Sequence, residues 1–263
     1  MSASPVTVGR SAARTHVPSL EGWLAAWQRC VAIACVVVLF LELPLYAHVL
    51  RPEFVPKLAY FALAAAALPV LAARFDEFVD WLLQPFPVWA ACFVLLDLLH
   101  LIAISPGGHP EVVNGVLLRV QMCALAVVLG FVLVSLPPVV YLRAFPVLVV
   151  VLAGLLAFDF AVPWVLYPPD TDGVTPGRAA ATLVNANKAG EAMMLITLLG
   201  MAITPRRWRP LLLAVAAVGV VATFGRNSML AWGLVVIVLV AGRAVSGAGA
   251  AMLLGAGAAG MLL

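Results

Sequence analysis

VLLRVQMCALAVVLGFVLVSL, residues 116–136, decides the fold class. It is an almost unbroken apolar run whose one charge is Arg119. About 20 such residues are what a helix needs to cross the hydrocarbon core of a bilayer. Working outward, further apolar runs lie near 30–50, 58–73, 88–104, 147–166, 188–204, 210–224, 228–242 and 245–263. The reading is an all-α polytopic membrane helix bundle of about nine spans. Pro44, Pro69 and Pro163 fall inside runs and predict kinks, which neighbouring helices can accommodate.

Composition agrees. The chain of 263 residues is 65% hydrophobic and 10% charged. Soluble domains are about 45–50% apolar and about 25% charged. A soluble domain of this size would have to cover its surface with apolar side chains. The net charge of +3 comes from scattered basic groups with no patch for a phosphate backbone, which excludes nucleic acid as a partner. Cys30, Cys35, Cys92 and Cys123 lie in apolar runs without metal-ligand spacing, so they read as small buried side chains. No metal or cofactor is called for.

The segments divide into a polar cytoplasmic tail at 1–29, an N-terminal transmembrane bundle at 30–166, an outer loop at 167–187 and a second transmembrane region at 188–263. The tail is too long and irregular for a signal peptide. Basic residues in short loops set orientation. They favour a cytoplasmic N-terminus, with PRRWR at 205–209 the clearest anchor, and leave Arg51, Lys57, Arg178, Lys188 and Arg226 outside.

With that topology, Glu42, Asp97, His100, Arg119, Asp159 and Glu191 all fall in the outer half of a span or at its outer end. Charge in hydrocarbon is costly and faces protein or water. The shared depth therefore predicts a polar cavity lined by Asp97, His100, Arg119, Asp159 and Glu191. Private pairing or snorkelling of each group is the plainer alternative. Asp97 and His100 share a helix face at spacing three, which suits a proton relay or a simple hydrogen bond.

The longest polar stretch between spans is YPPDTDGVTPGRAAATLVNANKAGE, 167–191. Asn185 and Asn187 cannot share one helix face, so at least one is expected to cap the following helix. Helix N-termini attract phosphate, Arg178 offers a two-pronged donor and Lys188 a point charge. Capping beside a solvated loop is the plainer reading. A second feature, TFGRNS at 223–228, places Arg226 at the same outer face, where a pyrophosphate could sit between the two basic loops. Lipid headgroups or helix-end carbonyls would serve that arginine equally well.

From Gly177 to about Gly242, about a quarter of the chain, the sequence resembles the O-antigen ligase and O-antigen polymerase superfamily. The resemblance rests on GRAAATLVNANKAGEA, PRRWR and ATFGRNSMLAW in that order. Ala186 stands where the family often has proline, and Gly225 and Asn227 replace its common Ser and Gly around the retained Arg226. The resemblance implies a metal-independent glycan transferase of the bacterial inner membrane. Its donor would be a glycan on undecaprenyl pyrophosphate at the periplasmic face. Its acceptor would be lipid A core for a ligase or a second glycan for a polymerase. Arg226 would hold the pyrophosphate, with Arg178, Lys188, Asn185 and Asn187 as companions. The ligases' catalytic histidine lies in a later periplasmic loop, whereas His16, His48, His100 and His109 all precede the matching region. The catalytic residue is therefore unassigned, and the expectation is a family member lacking its C-terminal part. A multi-pass permease using Glu42, Asp97 and Asp159 for ion coupling is the runner-up. A non-catalytic remnant, or a scaffold packed through GAGAAMLLGAGAAG at 247–260, completes the alternatives.

Overall fold

Prolines start the helices of this chain more often than they bend them. The computed structural model describes residues 20–104, 110–168, 171, 174, 177–246 and 249. Within these, the order is α1 (Leu20–Phe40), α2 (Leu43–Leu50), α3 (Pro56–Ala73), α4 (Phe75–Leu82), α5 (Pro85–Ile104), α6 (Pro110–Val134), α7 (Pro138–Leu142) and α8 (Ala144–Ala161). A 3-10 turn (Ala181–Leu183) then leads to α9 (Ala186–Ile203), α10 (Arg209–Ala222) and α11 (Arg226–Ala241). Prolines occupy the first turn of α2, α3, α7 and α10. Proline has no N–H to offer, and none is needed there.

Pro44 therefore begins α2 instead of kinking a longer span, and Pro163 lies just beyond the end of α8. Pro69 does sit inside α3. The break before α2 falls at Glu42, whose backbone is left-handed with φ 46°. The first helix starts ten residues before the expected span because its polar groups find partners. The amide of buried Gln28 donates to Ser135 Oγ at 2.7 Å, and Trp27 Nε1–H donates to the Ala66 carbonyl at 2.8 Å. The short helix α4 was not anticipated. Its Trp81 donates to the Val127 carbonyl at 3.1 Å, and Phe78 meets Phe131 edge-on at 5.2 Å.

The expectation of nine spans is corrected. The protein is an all-helical, multi-pass membrane protein in which five helical segments are long and apolar enough to cross: 20–40, 56–73, 85–103, 112–134 and the joined pair at 138–161. Helices α10 and α11 have 14 and 16 residues. At 1.5 Å per residue they reach roughly 21–24 Å, short of a hydrocarbon core about 30 Å thick. Asn187, Lys188 and Glu191 dilute the start of α9. The last expected span, 245–263, lies almost entirely outside the described residues.

Two apolar clusters hold the bundle. One joins α1, α3 and α6 through residues such as Cys35, Ala67 and Val132. The larger one joins α8, α9 and α10 through Leu152, Leu156, Met193, Ile196, Leu213 and Val220. Close helix approach explains two glycines in it. A Cβ on Gly200 would stand 3.2 Å from the Pro146 backbone nitrogen, and one on Gly219 2.7 Å from Met193 Cε.

Candidate functional site

The larger cluster carries the segment 177–191 at one end, and what shapes that segment is hydrogen bonding. Asp159, in the last turn of α8, accepts the Ala180 and Ala181 N–H groups at 2.8 and 3.0 Å. Buried Tyr167 donates its hydroxyl proton to the Ala181 carbonyl, and the same oxygen accepts the Val184 N–H at 2.9 Å. Tyr46 of α2 packs edge-on against Tyr167 at 5.5 Å and donates to the Leu166 carbonyl at 3.1 Å. These bonds hold an unfavourable backbone. Ala181 and Val184 have φ of 49° and 60°. Such conformations cost on the order of 1–3 kcal/mol per residue and persist only when neighbours enforce them.

Asn185 caps α9, its side-chain oxygen accepting the Asn187 and Lys188 N–H groups at 2.9 and 3.5 Å. This is the capping expected from the N-x-N spacing. Arg178 then joins the two polar motifs. Its Nε–H donates to the Thr223 carbonyl at 2.9 Å and its Nη2 to Asn187 Oδ1 at 2.7 Å. The Ala179 N–H adds a bond to the Ala222 carbonyl at 3.0 Å. The loop before α9 and the turn before α11 are thus one unit.

Gly190 completes it. Any Cβ there would stand 2.6 Å from Ser228 Cβ, and closer still to its Oγ. Arg226, on the first turn of α11, is exposed and makes no side-chain hydrogen bond or ion pair among the described residues. Helix α11 also starts without a side-chain cap. Its first-turn amides lack the side-chain partner that Asn185 gives those of α9.

The expected polar cavity resolves into separate contacts. Asp97 pairs with Arg119 across α5 and α6, with Oδ2 to Nε at 2.6 Å, and makes no bond to His100 among the described residues. Asp159 is committed to the loop amides. Glu191 lies in another cleft, of about 350 Å³, with Glu42 and Lys188. Lys188 Nζ is 3.7 Å from Glu42 Oε1, while Glu42 Oε2 is buried without a partner among the described residues. Of the expected companions of Arg226, Arg178 and Asn187 belong to its unit, Asn185 acts on the helix backbone, and Lys188 turns to Glu42.

Sequence reasoning missed Tyr167, Gly190, Thr223 and Ser228. Their identities are ordinary, and only the contact between loop and turn gives them a task. Burial raises the Tyr167 hydroxyl above its ordinary value of 10.0, with the bond from Val184 opposing and the Asp159 charge adding to the rise. A raised folded value means that stability is complete below about pH 10 and falls as pH rises past the unfolded value. Thermal unfolding of the wild type and Tyr167→Phe should therefore diverge in pH dependence only above about pH 10, the wild type falling more steeply. Parallel curves would contradict a buried neutral phenol. No protein-family model, curated protein or solved structure matches this chain.

Proposed function

We propose that this protein is a glycan transferase of O-antigen ligase type in the bacterial inner membrane, with its N-terminus cytoplasmic. It takes a glycan from undecaprenyl pyrophosphate at the periplasmic face and passes it to lipid A core. Transfer to a second lipid-linked glycan, the polymerase reaction, uses the same donor site. One observation carries the reading. Arg178 ties the N-x-N segment to the TFGRNS turn, and Arg226, unpaired among the described residues, stands at an uncapped helix N-terminus. Pyrophosphate has the charge and the oxygen geometry that this combination accepts. In transfer, an acceptor hydroxyl oxygen bonds to the sugar's anomeric carbon and gives up its proton to solvent as the bond from that carbon to the pyrophosphate breaks, and negative charge grows on the departing oxygen. The Arg226 guanidinium and the uncapped amides at the start of α11 would stabilise that charge as it develops. Arg178, with two donors already engaged, positions the turn, and Arg226 is the group that meets the phosphate.

The test is binding of undecaprenyl pyrophosphate to equal amounts of folded protein. Arg226→Ala should weaken it about 10- to 150-fold, corresponding to roughly 1.5–3 kcal/mol for a charged hydrogen-bonded contact. Arg226→Lys keeps the charge, loses the fork and should fall between. Equal affinities in all three proteins would refute the assignment.

A further inference from the structure

At the opposite polar end, the turn between α9 and α10 and the end of α11 enclose a cleft of about 550 Å³. Arg206, Arg207 and Arg243 line it. We propose that this cleft binds the headgroup of an anionic phospholipid. The proposal is independent of the transferase reading.

The cleft is built. Arg209 donates from Nε to the Thr204 carbonyl at 3.0 Å and from Nη1 to the Ala244 carbonyl at 3.3 Å, fastening the turn to the end of α11. Arg243 sits one residue past the Gly242 cap with φ 53°, a left-handed position that favours glycine. Closing bonds hold it there: Arg243 N–H to the Val240 carbonyl at 2.9 Å and Ala244 N–H to the Leu239 carbonyl at 2.8 Å. The left-handed backbone at Arg243 thus sets its charged side chain beside the cleft at a position where glycine would be conformationally easier.

Arg206, Arg207 and Arg243 are exposed, and among the described residues none of the three pairs with a carboxylate. Three like charges around one cleft repel each other and favour a shared anion. A lipid fits better than a soluble phosphate because the apolar surface continues from the cleft. Val240, Val245 and Pro210 line it, and the exposed side chains of Leu211, Ile237 and Val238 extend along α10 and α11 where acyl chains would lie. Trp208, also exposed, is of the type that settles at the level of lipid headgroups.

The experiment titrates the detergent-solubilised full chain with dioleoyl-phosphatidylglycerol or dioleoyl-phosphatidylcholine, with retained lipid counted by native mass spectrometry. Near an anionic surface each arginine contributes about fivefold, so the preference for the anionic lipid should be on the order of 100-fold. Changing Arg206 and Arg207 to Gln and Arg243 to Gly together should remove most of it. Arg243→Gly alone should unfold no earlier than the wild type, because glycine accepts the left-handed backbone, yet it should lose about fivefold of the preference. Equal binding of the two lipids, or an undiminished preference in the triple variant, would overturn the proposal. So would full competition by glycerol phosphate at the same concentration, since a soluble anion would then satisfy the site without a lipid.

Discussion

Gly190→Ala should lower stability by about 1–3 kcal/mol, the usual cost of forcing extra volume into a packed contact. The added methyl would meet Ser228 Cβ at 2.6 Å, with Thr223 Oγ1 at 3.4 Å behind it. Neither α9 nor α11 can retreat freely, because Arg178 bonds to both the start of α9 and the turn before α11. Thermal unfolding in detergent measures the loss, and a second substitution identifies its cause. Ser228→Gly clears the space and should restore at least half of the loss in the double variant. Ser228→Ala keeps the offending Cβ and should restore little. The coupling between the sites is the informative quantity, since contacting positions depart from additivity. A Gly190→Ala protein as stable as the wild type would mean that the loop and the turn do not meet as described.

Asp159→Ala should cost about 3 kcal/mol. The carboxylate receives two backbone N–H bonds, and bonds to a charged acceptor contribute roughly 1.5–3 kcal/mol each when unscreened. Asp159 is only partly buried, so the lower part of the combined range applies. Asp159→Asn retains one side-chain acceptor without the charge and should give an intermediate loss. The effect is local as well as global. Hydrogen exchange at the Ala180 and Ala181 amides should accelerate in the alanine variant by more than at helix amides of α8, because the loop opens while the bundle persists. Unchanged exchange at those two amides would show that Asp159 does not hold the loop.

Both effects come from contacts that a reading along the chain could not supply. The string 177–191 announces itself by its polarity, and the spacing of Asn185 and Asn187 leads to a cap that Asn185 provides. Capping is settled within three residues, so local sequence is enough to state it. The shared depth of Asp97 and Asp159 suggested a common cavity, yet depth says nothing about direction around a helix. Asp97 faces Arg119 on the neighbouring α6, and Asp159 faces a loop that folds back beneath it.

What the sequence determined by itself is the solvent of this protein and the material of its fold. Apolar runs of bilayer length make it an all-helical membrane protein, because a backbone in hydrocarbon must satisfy its own hydrogen bonds. Prolines mark several helix starts for an equally local reason, the missing N–H. Tertiary structure decided how many of those runs are long enough to span, where Glu42 breaks the first one, and which polar groups meet. Arg178 meets Thr223 across 45 residues of chain, and Gln28 meets Ser135 across 107. Partners that distant are chosen by how the helices pack, and packing depends on surfaces contributed by several helices at once.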